Sequence, residues 1–275
     1  MGGLTPQPPS PYTTVQTRRE EDICYLQLYR PQANNTISDA LIDDCSAVLR
    51  NCESWAKVVV LEGLPEVFCF GADLQELGQT QGQTHGGGAH PATPQRSAAQ
   101  NADALYGLWL HLKRGPFISV AHVRGKVNAG GVGFAAACDL VLCDEQAVFS
   151  LSELLFGLMP ACVLPFLIER IGSARAHAMT LLTQPVTARQ AQAWGLADAC
   201  ADNSANLLRM HLLRLRLLSR AAIGRYKRYL ASLDMTIEAA RLQAVARNAE
   251  VFSDPATLAG ITRYAVTGKF PWEAN

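Results

Sequence analysis

The chain has 275 residues, and its 24 Lys plus Arg balance its 24 Asp plus Glu to a formal net charge of +0 at pH 7. Hydrophobic residues make up 49% and charged residues 17% of the chain, which excludes intrinsic disorder and indicates a large core together with apolar surface buried in an oligomer. Because the net charge is zero and no apolar run approaches the ~20 residues that span a bilayer, we expect neither a nucleic-acid partner nor a membrane partner.

Strands and helices alternate in the first part of the chain, a pattern typical of an α/β fold. Strands are predicted within 12–30 and at 58–61, 116–123, 140–143 and 147–150. Helices are predicted after the N-cap Ser38, at 99–114 and at 134–138, the last preceded by a glycine-rich turn at 125–133. Farther on, apolar periodicity predicts helices at 162–171, 173–182, 187–194, 204–231, 234–252 and 254–267.

These elements are predicted to form one domain, with a flexible segment before it and a flexible loop within it. Residues 1–11 contain four prolines and are predicted to be a mobile leader. A core spans 12–200, and it is interrupted at 78–98 by a Gly-, Gln- and Thr-rich stretch expected to be a flexible loop. The helical region 201–275 belongs to the same domain.

The cysteines and the N-terminus indicate the compartment. The eight cysteines lie in scattered apolar segments, with no Cys-x-x-Cys pair and no histidine at zinc spacing. The N-terminal residues have neither the basic start nor the apolar stretch of a secretory signal. These features predict free thiols, a cytoplasmic location and no metal site.

Two glycine-containing turns each follow a strand and open a helix, at 70–73 and at 128–133. Small residues at such turns let backbone N–H groups face a ligand, with the positive potential of the helix N-terminus added. The glycine spacing is not that of a dinucleotide fingerprint. Taken together, the turns leave two interpretations open, tight packing or an oxyanion hole.

Glu153 is a carboxylate within an apolar run, Phe149 to Gly157. The pattern leaves two interpretations equally open. Glu153 is either a solvated or helix-capping acid after Ser150 or Ser152, or a desolvated carboxylate with a raised pKa, suited to proton transfer near neutral pH.

A set of motifs resembles the enoyl-CoA hydratase/isomerase (crotonase) superfamily over roughly 12–275, in order and in spacing. The motifs are Gly71-Ala72-Asp73, Asn128-Ala-Gly-Gly-Val-Gly133, Cys138-Asp139, Phe149-x-x-x-Glu153-x-x-x-Gly157 and Arg170-Ile-Gly172. Finer features, among them Arg30-Pro-Gln-Ala-Asn-Asn-Thr-Ile37 and the terminal Phe270-Pro-Trp-Glu273, are similar to the dehydratase of polyketide β-branching cassettes. The resemblance implies a spiral of ββα units with a helical C-terminal region that forms a homotrimer or a dimer of trimers.

The resemblance also assigns roles to particular residues. It makes the backbone N–H groups of Ala72 and Gly130 an oxyanion hole for a thioester carbonyl, and it makes Glu153 one of the two catalytic glutamates of the hydratases. The other glutamate position is occupied by Gly133, so another group must handle the hydroxyl. Asp73 is the first candidate, with a helix N-cap as its alternative role, and Asn128 is a second candidate, with a turn role as its alternative.

The activity implied by the resemblance is a hydro-lyase. It would convert 3-hydroxy-3-methylglutaryl-acyl carrier protein to 3-methylglutaconyl-acyl carrier protein, with no cofactor beyond the phosphopantetheine of the acyl carrier protein, which is the expected partner. The alternatives are a generic enoyl-CoA hydratase or isomerase, the decarboxylase of the same cassette, and a non-catalytic scaffold or RNA binder.

Three further predictions concern polar side chains outside these motifs. His122, in the middle of a strand, is interpreted as a core histidine with satisfied hydrogen bonds. A basic segment is interpreted as a solvated face or as a docking site for the acidic carrier protein; it contains Arg209, Arg214, Arg216, Arg220, Arg225, Lys227 and Arg228. Candidates for binding the free carboxylate of the substrate are Lys113, Arg114, Lys126 and a basic residue of the 78–98 loop.

Overall fold

The computed structural model describes residues 11–73 and 96–273. Within these ranges the strands are β1 (Val15–Glu20), β2 (Ile23–Leu28), β3 (Val58–Glu62), β4 (Val67–Cys69), β5 (Ile118–Val123), β6 (Lys126–Asn128), β7 (Leu140–Asp144), β8 (Val148–Ser150), β9 (Val186–Thr187) and β10 (Ala199–Ala201). The helices are α1 (Asp39–Cys52), α2 (Ala98–Arg114), α3 (Gly130–Ala137), α4 (Val163–Ile171), α5 (Ser173–Leu182), α6 (Ala188–Trp194), α7 (Ser204–Leu215), α8 (Arg220–Leu233), α9 (Thr236–Phe252) and α10 (Pro255–Thr267). Short 3-10 helices span Pro31–Ala33 and Glu153–Phe156.

The described strands form two sheets. The larger has the order β1-β2-β3-β5-β7-β10 and the smaller the order β4-β6-β8-β9, with β1/β2 and β8/β9 antiparallel and the other neighbours parallel. The successive pairs β3/β4, β5/β6 and β7/β8 each place their first strand in the larger sheet and their second in the smaller one, and α2, α3 and α4 follow these pairs along the chain. This is the predicted α/β spiral of ββα units.

The environment of strand β3 explains why its sequence is continuously apolar. Val59 and Leu61 pack into the main core, whereas Val58 and Val60 belong to a second apolar cluster, which also contains Leu208 of α7. Both faces of the strand are therefore buried, which is the situation that favours unbroken runs of β-branched residues in parallel sheets.

Two predicted boundaries are wrong. The turn at 125–133 contains β6, and helix α3 begins at Gly130 rather than at 134. Glycine disfavours helix in isolation, but a Cβ on Gly131 would clash with the Cys69 carbonyl, so close packing against β4 requires glycine at this position.

The predicted helix 204–231 is two helices, α7 and α8, because the Ser219 side chain accepts a hydrogen bond from the Ala222 N–H and caps the second one. The short strands β9 and β10 were not predicted.

The C-terminal helices pack against the first part of the chain. The Tyr106 hydroxyl of α2 donates a hydrogen bond of 2.6 Å to the Ile237 carbonyl of α9. The same helix pair is joined by Arg114 with Glu238 at 2.7 Å. None of the described helices is long and apolar enough to cross a membrane.

Two of the predicted segments are barely described. Residues 1–10 of the leader and 78–95 of the loop lie outside the described residues. At the end of that predicted loop, Ser97 caps α2 by accepting a hydrogen bond from the Gln100 N–H.

Candidate active site

The smaller sheet brings three turns to one edge. Strands β4, β6 and β8 run parallel and end at Cys69, Asn128 and Ser150. Because the carboxyl ends of parallel strands meet at the same edge, the segments that follow them converge. Together with residues of α1, α2 and α4 these segments line a cavity of about 230 Å³, which contains the predicted Ala72, Asp73, Asn128, Gly130 and Glu153.

Two residues in the wall of the cavity, Ala72 and Gly130, have backbone N–H groups with no acceptor among the residues that the structure describes. Ile37 pairs with Ala72 as an isolated parallel bridge: the Ile37 N–H donates to the Gly71 carbonyl at 2.7 Å and the Asp73 N–H donates to the Ile37 carbonyl at 3.2 Å. The intervening Ala72 N–H is left without an acceptor among the described residues. Gly130 is the first residue of α3, so its N–H has no partner within the helix.

The two turns are in van der Waals contact. A Cβ on Gly71 would lie 2.7 Å from the Ala129 Cβ and 3.6 Å from the Gly130 nitrogen. Gly71 has φ 91°, which favours glycine, and Ala129 has φ 50°, which costs a non-glycine residue of order 1–3 kcal/mol. The close approach of the two turns agrees with the predicted oxyanion hole, which needs two neighbouring N–H donors.

Glu153 is a buried carboxylate in the wall of this cavity. It opens the 3-10 helix and its side chain is 9% exposed. Burial raises its pKa from the usual 4.5 to about 7, and hydrogen bonds from the backbone of Glu153 and Ser152 offset the rise only in part. Its Oε2 atom has no hydrogen-bond partner among the described residues. Burial excludes the solvated interpretation of Glu153, whereas the backbone hydrogen bonds at the start of the 3-10 helix are compatible with a capping contact. Its catalytic role stays a prediction.

Asn128 links the turn at 128–133 to the segment that carries Glu153 through side-chain hydrogen bonds. Its Oδ1 accepts a hydrogen bond of 2.9 Å from the Ser150 hydroxyl, and its Nδ2 donates to the Ser152 hydroxyl at 2.9 Å. The same amide donates to the Phe70 carbonyl at 3.4 Å. These contacts agree with the predicted turn role of Asn128, and its role toward the substrate hydroxyl stays a prediction.

Asp73 lies in the cavity wall in an ion pair. Its Oδ2 accepts hydrogen bonds from Arg30 Nη2 at 3.0 Å and from the Thr36 hydroxyl at 2.9 Å, and both members of the ion pair are about a tenth exposed. The helix that Asp73 would cap falls outside the described residues. Its catalytic role stays a prediction, and a carboxylate oxygen that already accepts these hydrogen bonds is not placed to donate a proton.

Position 133 is filled by a neighbouring side chain. A Cβ on Gly133 would lie 2.5 Å from Cζ2 of Trp109, whose indole packs edge-on against Phe134 and Phe166 with centroids 5.8 Å apart. Trp109 also lines the cavity. Sequence reasoning missed it because a tryptophan on the apolar face of a helix is indistinguishable from a core residue.

A second carboxylate in the cavity wall was also missed. Asp39, in the first turn of α1, lines the cavity, and burial raises its pKa above the usual value. An acid in the first helical turn is common on helix-dipole grounds alone, so the sequence carried no signal for it.

The predicted carboxylate-binding residues lie elsewhere. Lys113 pairs with Glu169 at 3.0 Å and Arg114 pairs with Glu238, while Lys126 is exposed on β6. Among the described residues that line the cavity none is Lys or Arg.

Two other predicted polar features lie outside the cavity lining. His122 is buried, with Nδ1 2.8 Å from Glu62 and Nε2 3.1 Å from the Ser204 hydroxyl, as a core histidine with satisfied hydrogen bonds. Lys227 is not part of a basic surface, because it is buried and forms an ion pair of 2.6 Å with Asp139.

All eight cysteines are free thiols, seven of them buried. Over residues 11–73 and 96–273, no cluster of three His, Cys, Asp or Glu side chains forms a metal-binding group.

Comparison with known proteins gives a consistent result. A family model described as enoyl-CoA hydratase/isomerase matches residues 18–275. The bacillaene synthase dehydratase PksH of Bacillus subtilis (strain 168) is 51% identical over 263 residues, which cover 95% of this chain and 97% of that protein. The mevalonyl-coenzyme A hydratase SIDH of Beauveria bassiana (strain ARSEF 2860) is 29% identical over 198 residues, 71% of this chain and 69% of that protein.

A solved structure shows the same fold. The crystal structure of the polyketide biosynthesis enoyl-CoA hydratase PksH from Bacillus subtilis matches with a TM-score of 0.87 and 49% identity, covering 94% of this chain and 100% of that one. This confirms the predicted fold. The names of the relatives, a dehydratase and hydratases, agree with the predicted hydro-lyase class.

Proposed function

Because the chain belongs to the enoyl-CoA hydratase/isomerase family, we propose that it dehydrates 3-hydroxy-3-methylglutaryl-acyl carrier protein to 3-methylglutaconyl-acyl carrier protein during polyketide β-branching. The observation that carries the proposal is the pairing of one buried carboxylate, Glu153, with two backbone donors in a cavity where position 133 has no acid. The 51% identity to a dehydratase named for bacillaene synthase supports the polyketide context.

The oxyanion hole performs the first part of the reaction. The N–H groups of Ala72 and Gly130 bind the thioester carbonyl oxygen and stabilise the negative charge that develops on it when the α-proton leaves. Each such donor contributes roughly 3 kcal/mol. Without that stabilisation a carboxylate is too weak a base for an α-proton next to a thioester.

Glu153 performs both proton transfers. Its carboxylate takes the α-proton, and the electron pair of the C–H bond forms the enolate. As the carbonyl re-forms, the α–β double bond forms and the C–O bond to the β-hydroxyl breaks, while Glu153 returns the proton to the departing oxygen. One water leaves and the carboxylate is regenerated. A pKa of about 7 suits a group that must accept and then donate a proton near neutral pH.

Asn128 and Asp73 support this scheme from the cavity wall. The hydrogen bonds of Asn128 to Ser150 and Ser152 hold the segment that carries Glu153 beside the turn that carries Gly130. Asp73, beside Ala72 and neutralised by Arg30, is proposed to accept a hydrogen bond from the β-hydroxyl and so orient it. The transfers need no cofactor besides the phosphopantetheine arm that carries the substrate.

The proposed partners are an acyl carrier protein and further copies of the chain. On α8 the side chains of Tyr226, Tyr229 and Leu233 lie on one helix face and are more than 60% exposed. A stripe of this kind is typical of a protein–protein interface, which supports self-association; the trimer or dimer of trimers is the assembly that the family resemblance implies. Sedimentation velocity would test it, and a monomer at micromolar concentration would contradict it.

Mass spectrometry of the carrier-bound substrate tests the proposed function. Incubation of 3-hydroxy-3-methylglutaryl-acyl carrier protein with the enzyme is expected to give loss of one water, and Glu153→Gln to slow this loss by about 10²-fold or more. Loss of carbon dioxide would instead identify a decarboxylase. Faster turnover of coenzyme A thioesters than of the carrier-bound substrate would identify a generic hydratase, and no turnover of either would favour a scaffold.

A further inference from the structure

The cavity contains a buried donor that the proposed chemistry does not yet use. Trp109 is 1% exposed. Its Nε1 atom is buried and has no hydrogen-bond partner among the described residues. Because an unpaired buried N–H destabilises a fold, a purely structural position would favour an apolar ring such as that of phenylalanine.

The unpaired donor faces a complementary absence in the same cavity. Glu153 Oε2 and Asn101 Oδ1 also belong to cavity-lining residues and are buried without a partner among the described residues. Neither oxygen accepts from the Trp109 N–H, and no described Lys or Arg lines the cavity. A hydroxylated acyl chain would provide an acceptor for the indole N–H and a donor for one of these oxygens.

The position of the indole selects which substrate oxygen it reaches. Cζ2 of Trp109, the ring carbon next to the one that carries Nε1, is 3.9 Å from where a Cβ of Gly130 would be. Since the Gly130 N–H holds the thioester carbonyl in the proposed function, this ring edge lies beside the first carbons of the acyl chain. The oxygen on those carbons is the β-hydroxyl, whereas a distal carboxylate lies farther along.

We infer that Trp109 takes the place left by the missing acid at position 133 and donates its indole N–H to the β-hydroxyl oxygen of the substrate. The inference rests on the proposed function and deepens it. A neutral indole cannot give up its proton, so it orients the departing oxygen and stabilises charge on it while Glu153 delivers the proton. The hydrogen bond selects hydroxylated acyl thioesters over unsubstituted ones.

The decisive variant is Trp109→Phe, which keeps an aromatic ring and removes the N–H. We expect the kcat/KM for dehydration of 3-hydroxybutyryl and 3-hydroxy-3-methylglutaryl thioesters to fall by about tenfold, the worth of one hydrogen bond. Exchange of the α-proton of a butyryl thioester in D₂O needs only Glu153 and the oxyanion hole, and it should stay within twofold of the wild type. The pH dependence of both rates should be unchanged, because indole does not titrate.

Phe166→Leu is the matched control, since Phe166 packs against the same indole and does not line the cavity. It should lower stability and leave the ratio of dehydration to exchange unchanged. If Trp109→Phe does not fold, β-(3-benzothienyl)alanine at position 109 keeps the shape of the indole without the N–H, and the same ratios are measured.

Three results would overturn the inference. Equal losses of dehydration and exchange would mean that Trp109 only shapes the cavity, and unchanged dehydration would mean that the N–H is not used. A loss confined to the 3-hydroxy-3-methylglutaryl thioester would assign the N–H to the distal carboxylate. If the wild type dehydrates only the 3-hydroxybutyryl thioester, the proposed substrate is wrong, and the comparison of variants on that thioester still decides the role of Trp109.

Discussion

Replacing Glu153 by Gln removes the base and, at the same time, a buried charge that destabilises the fold. Burial raises the pKa of Glu153 from 4.5 to about 7. Since one pKa unit corresponds to about 1.4 kcal/mol, ionising this side chain in the folded protein costs about 3 kcal/mol more than in the unfolded chain. Glutamine has nearly the same shape and no charge.

The sign of the pH dependence follows from the direction of the shift. Between pH 4.5 and about 7 the folded wild type binds more protons than the unfolded chain, so its stability falls as the pH rises through this window. The Gln variant has no such dependence at this position. The variant should therefore match the wild type within about 1 kcal/mol at pH 5 and exceed it by about 3 kcal/mol at pH 8.5.

Urea unfolding of both proteins between pH 5 and 8.5 measures this difference. Glu66→Gln is the control, because Glu66 is exposed and the difference from the wild type should not change over that range. In activity assays the kcat/KM of the wild type should rise with pH through about 7 as the base ionises, and Glu153→Gln should lower turnover by about 10²-fold or more.

Two results would refute the reasoning. Parallel pH dependences of stability in the wild type and Glu153→Gln would mean that the carboxylate is not desolvated in the folded protein. Turnover by Glu153→Gln close to that of the wild type would remove Glu153 from the chemistry, whatever its pKa.

Three further substitutions test the surroundings of the base. Asp73→Asn should lower the free energy of unfolding by about 2–3 kcal/mol, because Arg30 stays buried without its carboxylate. If Asp73 also orients the hydroxyl, kcat drops by about 10²-fold at a temperature where the variant is folded. An unchanged kcat at that temperature would leave Asp73 only a structural role. Gly133→Ala should destabilise by about 1–3 kcal/mol despite the better helix propensity of alanine, since its Cβ would clash with Trp109; thermal melts that show stabilisation would contradict the packing. Asn128→Ala should lower kcat about tenfold through the loss of its hydrogen bonds while the pH–rate inflection stays near 7, and a shifted inflection would show that Asn128 tunes Glu153 directly.

The local elements could be predicted because their causes are local. Ser38 accepts a hydrogen bond from the Leu41 N–H and begins α1 where the capping pattern indicated it. Val58 to Leu61 are buried on both faces, as their unbroken apolar run indicated. The alternation of strands and helices indicated the α/β class, and the resemblance of the motifs to the family implied the ββα spiral.

The tertiary structure alone decided how the residues of the site are used. The sequence left Glu153 equally open to solvation or burial, since the desolvation that raises its pKa comes from helices distant along the chain. The same holds for Asp73. Its carboxylate accepts a hydrogen bond from Arg30, which lies 43 residues earlier in the chain. Gly133 reads as a missing acid in the sequence. The packing of α2 against α3 shows that the Trp109 indole fills the space beside Gly133. The sequence does not show this contact, because it joins residues that are distant along the chain.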